Sequence, residues 1–419
     1  MRFPSLDAWL SWQETLHPST IELGLERAGQ VADAMGLCHP HHAVITVGGT
    51  NGKGSSVALL DAILRAAGYR VGTYTSPHLL RYNERIRING EMIDDESLCA
   101  AFERVDEARG EVSLTYFEFG TLAAFDLFAR AHLDCAILEV GMGGRLDAVN
   151  QLDADVALVA TIDVDHTEWL GPDRETIARE KAGIFRANRP AVCSDPNPPA
   201  SLLDEATRIG AQLHRLGHEY DYRRHDQQWE WWSGQQRRTA LPLPALRGAS
   251  QLENAAGVLM ALSLISERLP VNQQQVRQGL LDVMLPGRFQ VIPGTVTEIW
   301  DVAHNPESAR ELAQTLRQLP CQGRTRAVVG MLADKDIEAV LRHLVPVIDD
   351  WYPASLSGPR GAPAARLIEA LALQGRTAVH GFESVTAAHA AALGDAHADD
   401  RIVTFGSFLT VAEVMGRHV

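Results

Sequence analysis

The sequence predicts an α/β protein built from two unequal domains, and three observations carry that expectation. Short β-branched runs such as Ala43-Val44-Ile45-Thr46-Val47 alternate with apolar residues at helical spacing, the signature of parallel strands covered by helices. The chain has 419 residues, beyond the roughly 250–300 that a single hydrophobic core supports. Hydrophobic residues make up 46% and charged residues 22%, ordinary globular usage that disfavours a disordered or fibrous chain.

The first element is the buried run Ala43-Val44-Ile45-Thr46-Val47. A glycine-rich turn follows, and then Leu60, Ile63, Leu64 and Ala67 recur at helical spacing until Gly68 stops the helix. Further strands are expected at 70–75, 135–140 and 156–162, each ending where polar residues or glycines gather. In open α/β sheets ligands bind beyond the carboxyl ends of the strands, so chemistry is sought at those endings. Between 214 and 246 the pattern changes. Tyr220, Tyr222, Trp229, Trp231 and Trp232 alternate with polar residues, predicting a hairpin that turns at Ser233-Gly234 inside a small β insertion. After Pro293-Gly294 a second series, at 296–301, 326–331 and 401–405, predicts a smaller, Rossmann-like α/β domain. The boundary is expected at 290–294, giving domains 1–290 and 291–419.

Charge and composition narrow the function. The formal net charge is −15, which argues against a nucleic-acid surface, since neutralising phosphates needs a basic footprint. The aromatics of the insertion are therefore expected to pack rather than to stack on bases. Met1-Arg2-Phe3-Pro4-Ser5-Leu6-Asp7 has no charged segment leading into an apolar stretch, and no run approaches the roughly 20 apolar residues of a membrane span. A soluble cytoplasmic protein is expected. Cys38, Cys99, Cys135, Cys193 and Cys321 are scattered without a CxxC pair, so reduced thiols are expected rather than disulfides or a zinc site. Nothing in the sequence argues for an oligomer, and a monomer is the default.

Between the first strand and helix lies Val47-Gly48-Gly49-Thr50-Asn51-Gly52-Lys53-Gly54-Ser55. In that context the glycines let backbone N–H groups turn toward phosphate oxygens, the helix N-terminus adds positive potential, and Lys53 supplies a point charge. The segment departs from G-x-x-x-x-G-K-[ST] at both ends. Val47 stands where glycine is usual, and Gly54 separates Lys53 from the hydroxyl of Ser55. The N-terminal domain is accordingly expected to be P-loop NTPase-like.

Taken together, Gly49-Thr50-Asn51-Gly52-Lys53-Gly54-Ser55, Tyr74-Thr75-Ser76-Pro77-His78, Ser113-Leu114-Thr115-Tyr116-Phe117-Glu118, Glu139-Val140-Gly141-Met142-Gly143-Gly144-Arg145-Leu146-Asp147, Asp165-His166-Thr167 and Glu180-Lys181-Ala182-Gly183 resemble the folylpolyglutamate synthase family of the Mur ligase superfamily. The likeness continues through Leu285-Pro286-Gly287-Arg288-Phe289, Asp301-Val302-Ala303-His304-Asn305-Pro306 and Gly406-Ser407-Phe408. Its nearest type is the bacterial bifunctional dihydrofolate synthase/folylpolyglutamate synthase.

The resemblance implies an ATP-dependent ligase of folate biosynthesis and one-carbon metabolism, which joins L-glutamate to dihydropteroate or a reduced folate through an acyl phosphate. It implies one or two magnesium sites with Ser76, Glu139 and His166 as ligands. Glu139 suits this on chemical grounds as well, because a carboxylate closing an apolar strand is costly to bury without a cation or hydrogen-bond donor. The residues alone would have favoured Asp163 or Asp165 over His166, since imidazole is not magnesium's preferred ligand. Lys181 is a lysine that can be carbamylated in this family, which would turn a cation into an anion beside the metal.

For the pterin the resemblance points to Thr115, Tyr116, Phe117 and Glu118, and to Leu146, Asp147 and Ala148. An aromatic face and a carboxylate suit a 2-amino-4-oxo ring. Leu23-Gly24-Leu25-Glu26-Arg27 also resembles the family, but by itself reads only as helix. Gly49 to Ser55 with Asn254, Arg288, Asp301 and Ser407 are the implied ATP contacts across a cleft between the domains, which ATP and folate are expected to close. Asn305-Pro306 reads as a helix cap and first position, and Arg288 as a group that offsets charge on the transferred phosphoryl. No pattern fixes the glutamate clamp or the base; His304 and Arg360 are the candidates. Two other readings compete: a Mur-type ligase of peptidoglycan precursors, which would not require 115–118, and a P-loop regulator without ligase activity.

Overall fold

The computed structural model describes residues 2–19, 21–377 and 379–417. The chain forms two compact units, Met1–Ala245 with Leu252–Val283, and Leu246–Gln251 with Met284–Val419. The second unit's long segment thus starts at Met284, and the strand in the expected boundary zone at 290–294 already belongs to its sheet.

The first unit opens with helices α1 (Leu6–Leu16) and α2 (Glu26–Ala34), followed by β1 (Ala43–Gly48), α3 (Lys53–Ala66) and β2 (Val71–Tyr74). Then come β3 (Ile86–Ile88), β4 (Glu91–Met92), α4 (Asp95–Arg109), α5 (Tyr116–Arg130), β5 (Cys135–Glu139) and β6 (Val156–Val159). After α6 (Thr167–Leu170) and α7 (Arg174–Ala182), the chain adds β7 (Pro190–Cys193), α8 (Ala200–Ile209) and β8 (Gln212–Arg215). These strands make one eight-stranded sheet in the order β4-β3-β2-β5-β1-β6-β7-β8. β3 and β4 pair antiparallel and the others parallel.

β1 lies between β5 and β6, and all six of its residues are buried, which is why it reads as an unbroken apolar run instead of an alternating one. The crossovers from β1 to β2 and from β2 to β5 run in opposite directions, so right-handed connection places α3 and α5 on opposite faces. Trp9 of α1 packs edge-on to Trp12 and meets Phe102 and Phe119, a core that no periodicity argument anticipated.

The expected hairpin is present as β10 (Gln228–Ser233) and β11 (Gln236–Pro242), and β9 (Asp221–His225) extends it to three strands ordered β11-β10-β9. Trp229 and Trp231 are fully buried, and their indole N–H groups donate to the carbonyls of Pro242 and Ala256. Trp229 and Trp231 are therefore core, as the net charge suggested, while Trp232 is half-buried beneath Arg223. Helices α9 (Gln251–Leu264) and α10 (Gln273–Asp282) follow.

The second unit has β12 (Gln290–Ile292), β13 (Thr297–Trp300), α11 (Pro306–Gln318), β14 (Thr325–Val329) and α12 (Ile337–Leu344). It is completed by β15 (Asp350–Pro353), α13 (Ala364–Leu373), α14 (Val385–Asp395), β16 (Arg401–Phe405) and α15 (Phe408–Met415). Its sheet runs β12-β13-β16-β14-β15, parallel except for β12. Asn305 caps α11 by accepting from Ser308 N, and Pro306 takes the first helical position, the arrangement read from the sequence. No described helix is long and apolar enough to cross a membrane.

α10 crosses α3 with its backbone almost in contact: a Cβ on Gly279 would lie 2.6 Å from Ile63 Cα and 2.7 Å from Ile63 N. Backbone cannot yield as a flexible side chain can, so Gly279→Ala is expected to destabilise the protein by about 1–3 kcal/mol. A urea midpoint equal to wild type would show that the two helices separate at no cost.

Candidate active site

The phosphate loop leaves the carboxyl end of β1. Gly52 adopts φ 83°, a left-handed conformation, at the N-cap of α3, where any side chain would be strained. Space forbids one as well: a Cβ at Gly52 would meet the Asn254 side-chain oxygen at 2.5 Å. Asn254, almost fully buried and part of the first unit, thereby stands against the loop. Lys53 opens α3 and folds back, its Nζ donating to the carbonyls of Gly49 at 3.0 Å and Thr50 at 3.1 Å. Gly54 and Ser55 form the rest of the first turn, with Ser55 buried.

The loop is held from β6. Thr50 N donates to Thr161 O at 2.7 Å, Thr50 Oγ1 donates to Asp163 O at 2.9 Å, and Thr161 Oγ1 donates to Asn51 O at 3.3 Å. Thr161 and Asp163 were missed in this bracing role. The signal was there in polar residues that follow directly on the apolar run 156–160.

Glu139 ends β5 beside β2 and is 5% exposed. Its Oε2 accepts from Ser76 N at 3.2 Å, so two of the three implied metal ligands meet at one strand edge. His166 caps α6 at φ 52°, with its backbone N–H on Asp165 Oδ1 at 2.8 Å and its ring 3.9 Å from Asp165 Oδ2. Among the described residues no three His, Cys, Asp or Glu side chains cluster closely enough to hold an ion. A metal there would need hydroxyl, phosphate and water oxygens to complete its shell, which is magnesium's habit.

Lys181, in the last turn of α7, is 3% exposed. Burial, with the nearby Lys53 adding to it, pushes its amine down to about 7, against opposing attraction from Asp165 and Asp147. Burial raises the Asp147 carboxyl to about 6, partly countered by N–H donors and by Lys53. Lys181 thus lies within electrostatic reach of Lys53, Asp165 and Asp147, and Asp147 within reach of Lys53.

The implied pterin residues also converge. Asp147 Oδ2 accepts from Met142 N at 2.9 Å and Oδ1 from Val149 N at 3.0 Å, which ties Leu146, Asp147 and Ala148 to the loop after β5. The Gly141 amide also faces this carboxylate, whose two oxygens offer about four acceptor sites in all. The half-buried ring of Phe117 packs on the backbone of Gly141 and lies 5.9 Å from Tyr74. Thr115 caps α5, its Oγ1 accepting from Glu118 N, while Glu118 Oε2 accepts from Thr115 N at 2.7 Å. The other Glu118 oxygen accepts from Arg27 at 3.1 Å. Glu118 is thus engaged by protein groups, and its neighbour Tyr116 faces Tyr82 edge-on at 5.6 Å.

In the second unit, β13, β16 and β14 are adjacent, so the residues after them meet. Asp301 Oδ2 accepts from Phe289 N and Oδ1 from Ala303 N, each at 2.8 Å. Burial raises its carboxyl to about 6 although Arg288 pulls the other way. The Arg288 guanidinium lies 5.1 Å over the Phe408 ring, and the His304 ring stands 6.4 Å from that ring. His304 Nδ1 lies 2.9 Å from Val302 O, which requires the proton on Nδ1 and leaves Nε2 basic in the neutral form. Ser407 caps α15 through Thr410 N at 3.0 Å. Arg360 lies at the surface, paired with Asp334 at 3.0 Å.

A phosphate loop with polar groups at neighbouring strand ends, followed by a second parallel α/β sheet, is the arrangement of the Mur ligases. Residues 47–261 match the Mur ligase middle domain, and residues 287–408 the Mur ligase glutamate ligase domain. The chain is 48% identical to the dihydrofolate synthase/folylpolyglutamate synthase of Escherichia coli strain K12 over 98% of its length and 94% of that protein. It belongs to the dihydrofolate synthase/folylpolyglutamate synthase family. The solved structure of E. coli FolC in complex with DHPP and ADP superposes with a TM-score of 0.95 at 48% identity, covering 99% of this chain and 98% of that one. A bifunctional folylpolyglutamate synthase/dihydrofolate synthase with Mn, AMPPNP and L-glutamate bound gives 0.92 at 47% identity, covering 99% and 98%.

The displaced Lys181 amine has a thermodynamic consequence. An unfolded lysine takes up its proton near 10.5 and the folded one only near 7, so in that interval the unfolded chain binds more protons and stability declines as pH falls. Between about pH 9 and pH 7 the loss is expected to be about 2 kcal/mol, and Lys181→Met should abolish that part of the slope. Denaturation curves with equal slopes in both proteins would contradict the displaced amine.

Proposed function

We propose that this chain is an ATP-dependent ligase that joins L-glutamate to dihydropteroate, forming dihydrofolate, and adds further glutamates to reduced folates. The observation that carries the reading is the placing of Lys53 within electrostatic reach of Asp147. A phosphate-binding lysine and a pterin-binding carboxylate then serve one reaction centre.

The reaction must turn a poor acyl donor into a good one. A carboxylate oxygen of the pteroate attacks the γ-phosphorus of ATP, the bond from that phosphorus to the bridging oxygen breaks, and ADP leaves with the electron pair. The glutamate amine then attacks the acyl carbon of the acyl phosphate, the bond to the phosphate oxygen breaks, and an amide, inorganic phosphate and a proton result. Catalysis of such steps is chiefly positioning and charge compensation.

In this reading the N–H groups of Gly49 to Ser55 hold the phosphates, and Lys53 exchanges its two carbonyl partners for phosphate oxygens. Asn254 fixes the loop from behind Gly52. Asp147 accepts from the pterin amino and ring N–H groups, Phe117 and Tyr116 give apolar faces, and Thr115 and Glu118 fix the start of α5. In the second unit Arg288, Asp301 and Ser407 are nucleotide groups, and Nε2 of His304 is the candidate acceptor of the amine proton.

Ser76 and Glu139 fit a divalent ion, because a buried carboxylate at a strand end with a hydroxyl residue beside it is an oxygen donor set. His166 is added to them on the family resemblance. Such an ion, when bound, supplies positive charge against the phosphates. The amine of Lys181, neutral above about 7, can attack carbon dioxide and lose a proton to become a carbamate, which places an anion where two lysines otherwise repel. Each proposed group comes from one chain, so a monomer suffices.

Phosphate release from ATP is expected only when dihydropteroate and L-glutamate are both present. Release indifferent to both would sink the ligase reading and favour a nucleotide-binding regulator, whereas use of a peptidoglycan precursor in place of dihydropteroate would favour a Mur-type ligase. Lys53→Ala is expected to lower kcat about 100-fold or more, and wild-type turnover in that variant would place the lysine outside the site.

A further inference from the structure

The segment after β2 reaches Ser76 and then loops outward before returning through a 3-10 turn, Tyr82–Arg85, into β3. One backbone bond closes its neck, Thr75 N to Arg85 O at 2.8 Å. Beyond that neck Pro77, Leu80 and Arg81 are exposed, so apolar burial does little to fix the loop's tip.

A single side chain gathers it. Glu84 Oε2 accepts from Leu79 N at 2.8 Å, and Glu84 Oε1 accepts from both Leu80 N and Arg81 N at 2.8 Å. Three consecutive amides converge on one carboxylate, the concave N–H arrangement that binds anions elsewhere, here filled by the chain's own anion. Charge-assisted bonds of this kind are shorter and stronger than neutral ones. The adjacent residue pins the near side: Arg85 Nε donates to His78 Nδ1 at 2.9 Å. The loop so shaped delivers Ser76 N to Glu139 Oε2.

We propose that Glu84 is a positioning residue for the divalent-cation site: by gathering the amides of residues 79–81 it sets the loop that carries Ser76 against Glu139. The inference rests on the reading that Ser76 and Glu139 hold such an ion. Glu84 touches neither substrate nor metal in this account. Glutamine at 84 would present one oxygen and one NH2 group, so part of the amide set would face a donor, and alanine would leave all three amides to water.

The test uses the full chain and Mn2+ alone, followed by electron paramagnetic resonance of the free ion, with hydrogen exchange at the amides of Leu79, Leu80 and Arg81. Glu84→Ala is expected to raise the Mn2+ Kd at least tenfold and to speed exchange at those amides at least tenfold. Glu84→Gln should fall between it and wild type, and turnover should recover as Mn2+ is raised to saturation. If Glu84→Ala does not fold, Glu84→Gln carries the same readouts. Unchanged Mn2+ affinity in the Glu84 variants, with binding lost in Glu139→Ala, would overturn the positioning role while the metal reading stands. Unchanged affinity in Glu139→Ala as well would remove the metal reading itself, and the proposal with it.

Discussion

Two ammonium groups cannot stand charged together at a buried sheet edge unless anions offset them, and the first unit is organised around that constraint. Burial first, and then repulsion from Lys53, depress the Lys181 amine, while Asp165 and Asp147 pull in the other direction. Asp147 is itself buried and resists ionising. An acidic chain thereby holds positive potential where it is needed, at the ends of β1, β5 and β6, although its total charge is −15.

Keeping such a cluster in register falls to hydrogen bonds that involve no ligand. Thr161 and Asp163 fix the phosphate loop from the neighbouring strand, Asp147 joins two loops through N–H groups, and Glu118 ties α5 to Arg27. In the second unit Asp301 plays the same part between Phe289 and Ala303. Buried carboxylates here act first as scaffold, and that role preorganises the chemistry.

The parts of the fold legible in the sequence were those where local pattern and environment agree. β1 is a continuous apolar run because both its faces are covered, and α3 is amphipathic with a glycine at its end. The Ser233-Gly234 turn and the Asn305-Pro306 cap were likewise written in local chemistry. β7, β8 and β15 were not anticipated, since four-residue strands in a parallel sheet owe their pairing to partners distant in sequence. In the site, Lys53, Glu139 and Asp147 stood out through context or resemblance, whereas the bracing by Arg27 and Glu84 was invisible. A hydroxyl or carboxylate whose work is to hold a backbone amide carries no spacing signature.

The short stretch Leu246–Gln251 belongs with the second unit, although 252–283 return to the first. Ser250 donates to Glu311, 61 residues further on. During synthesis this stretch emerges well before the segment it packs with, so the second unit cannot be completed until residues 252–283, which belong to the first, have been made. The same crossing means that no single cut divides the chain into two whole pieces. A chimera that exchanged residues 284–419 alone would pair Glu311's replacement with an unrelated serine loop, and a graft that respects the fold must be spliced at three places.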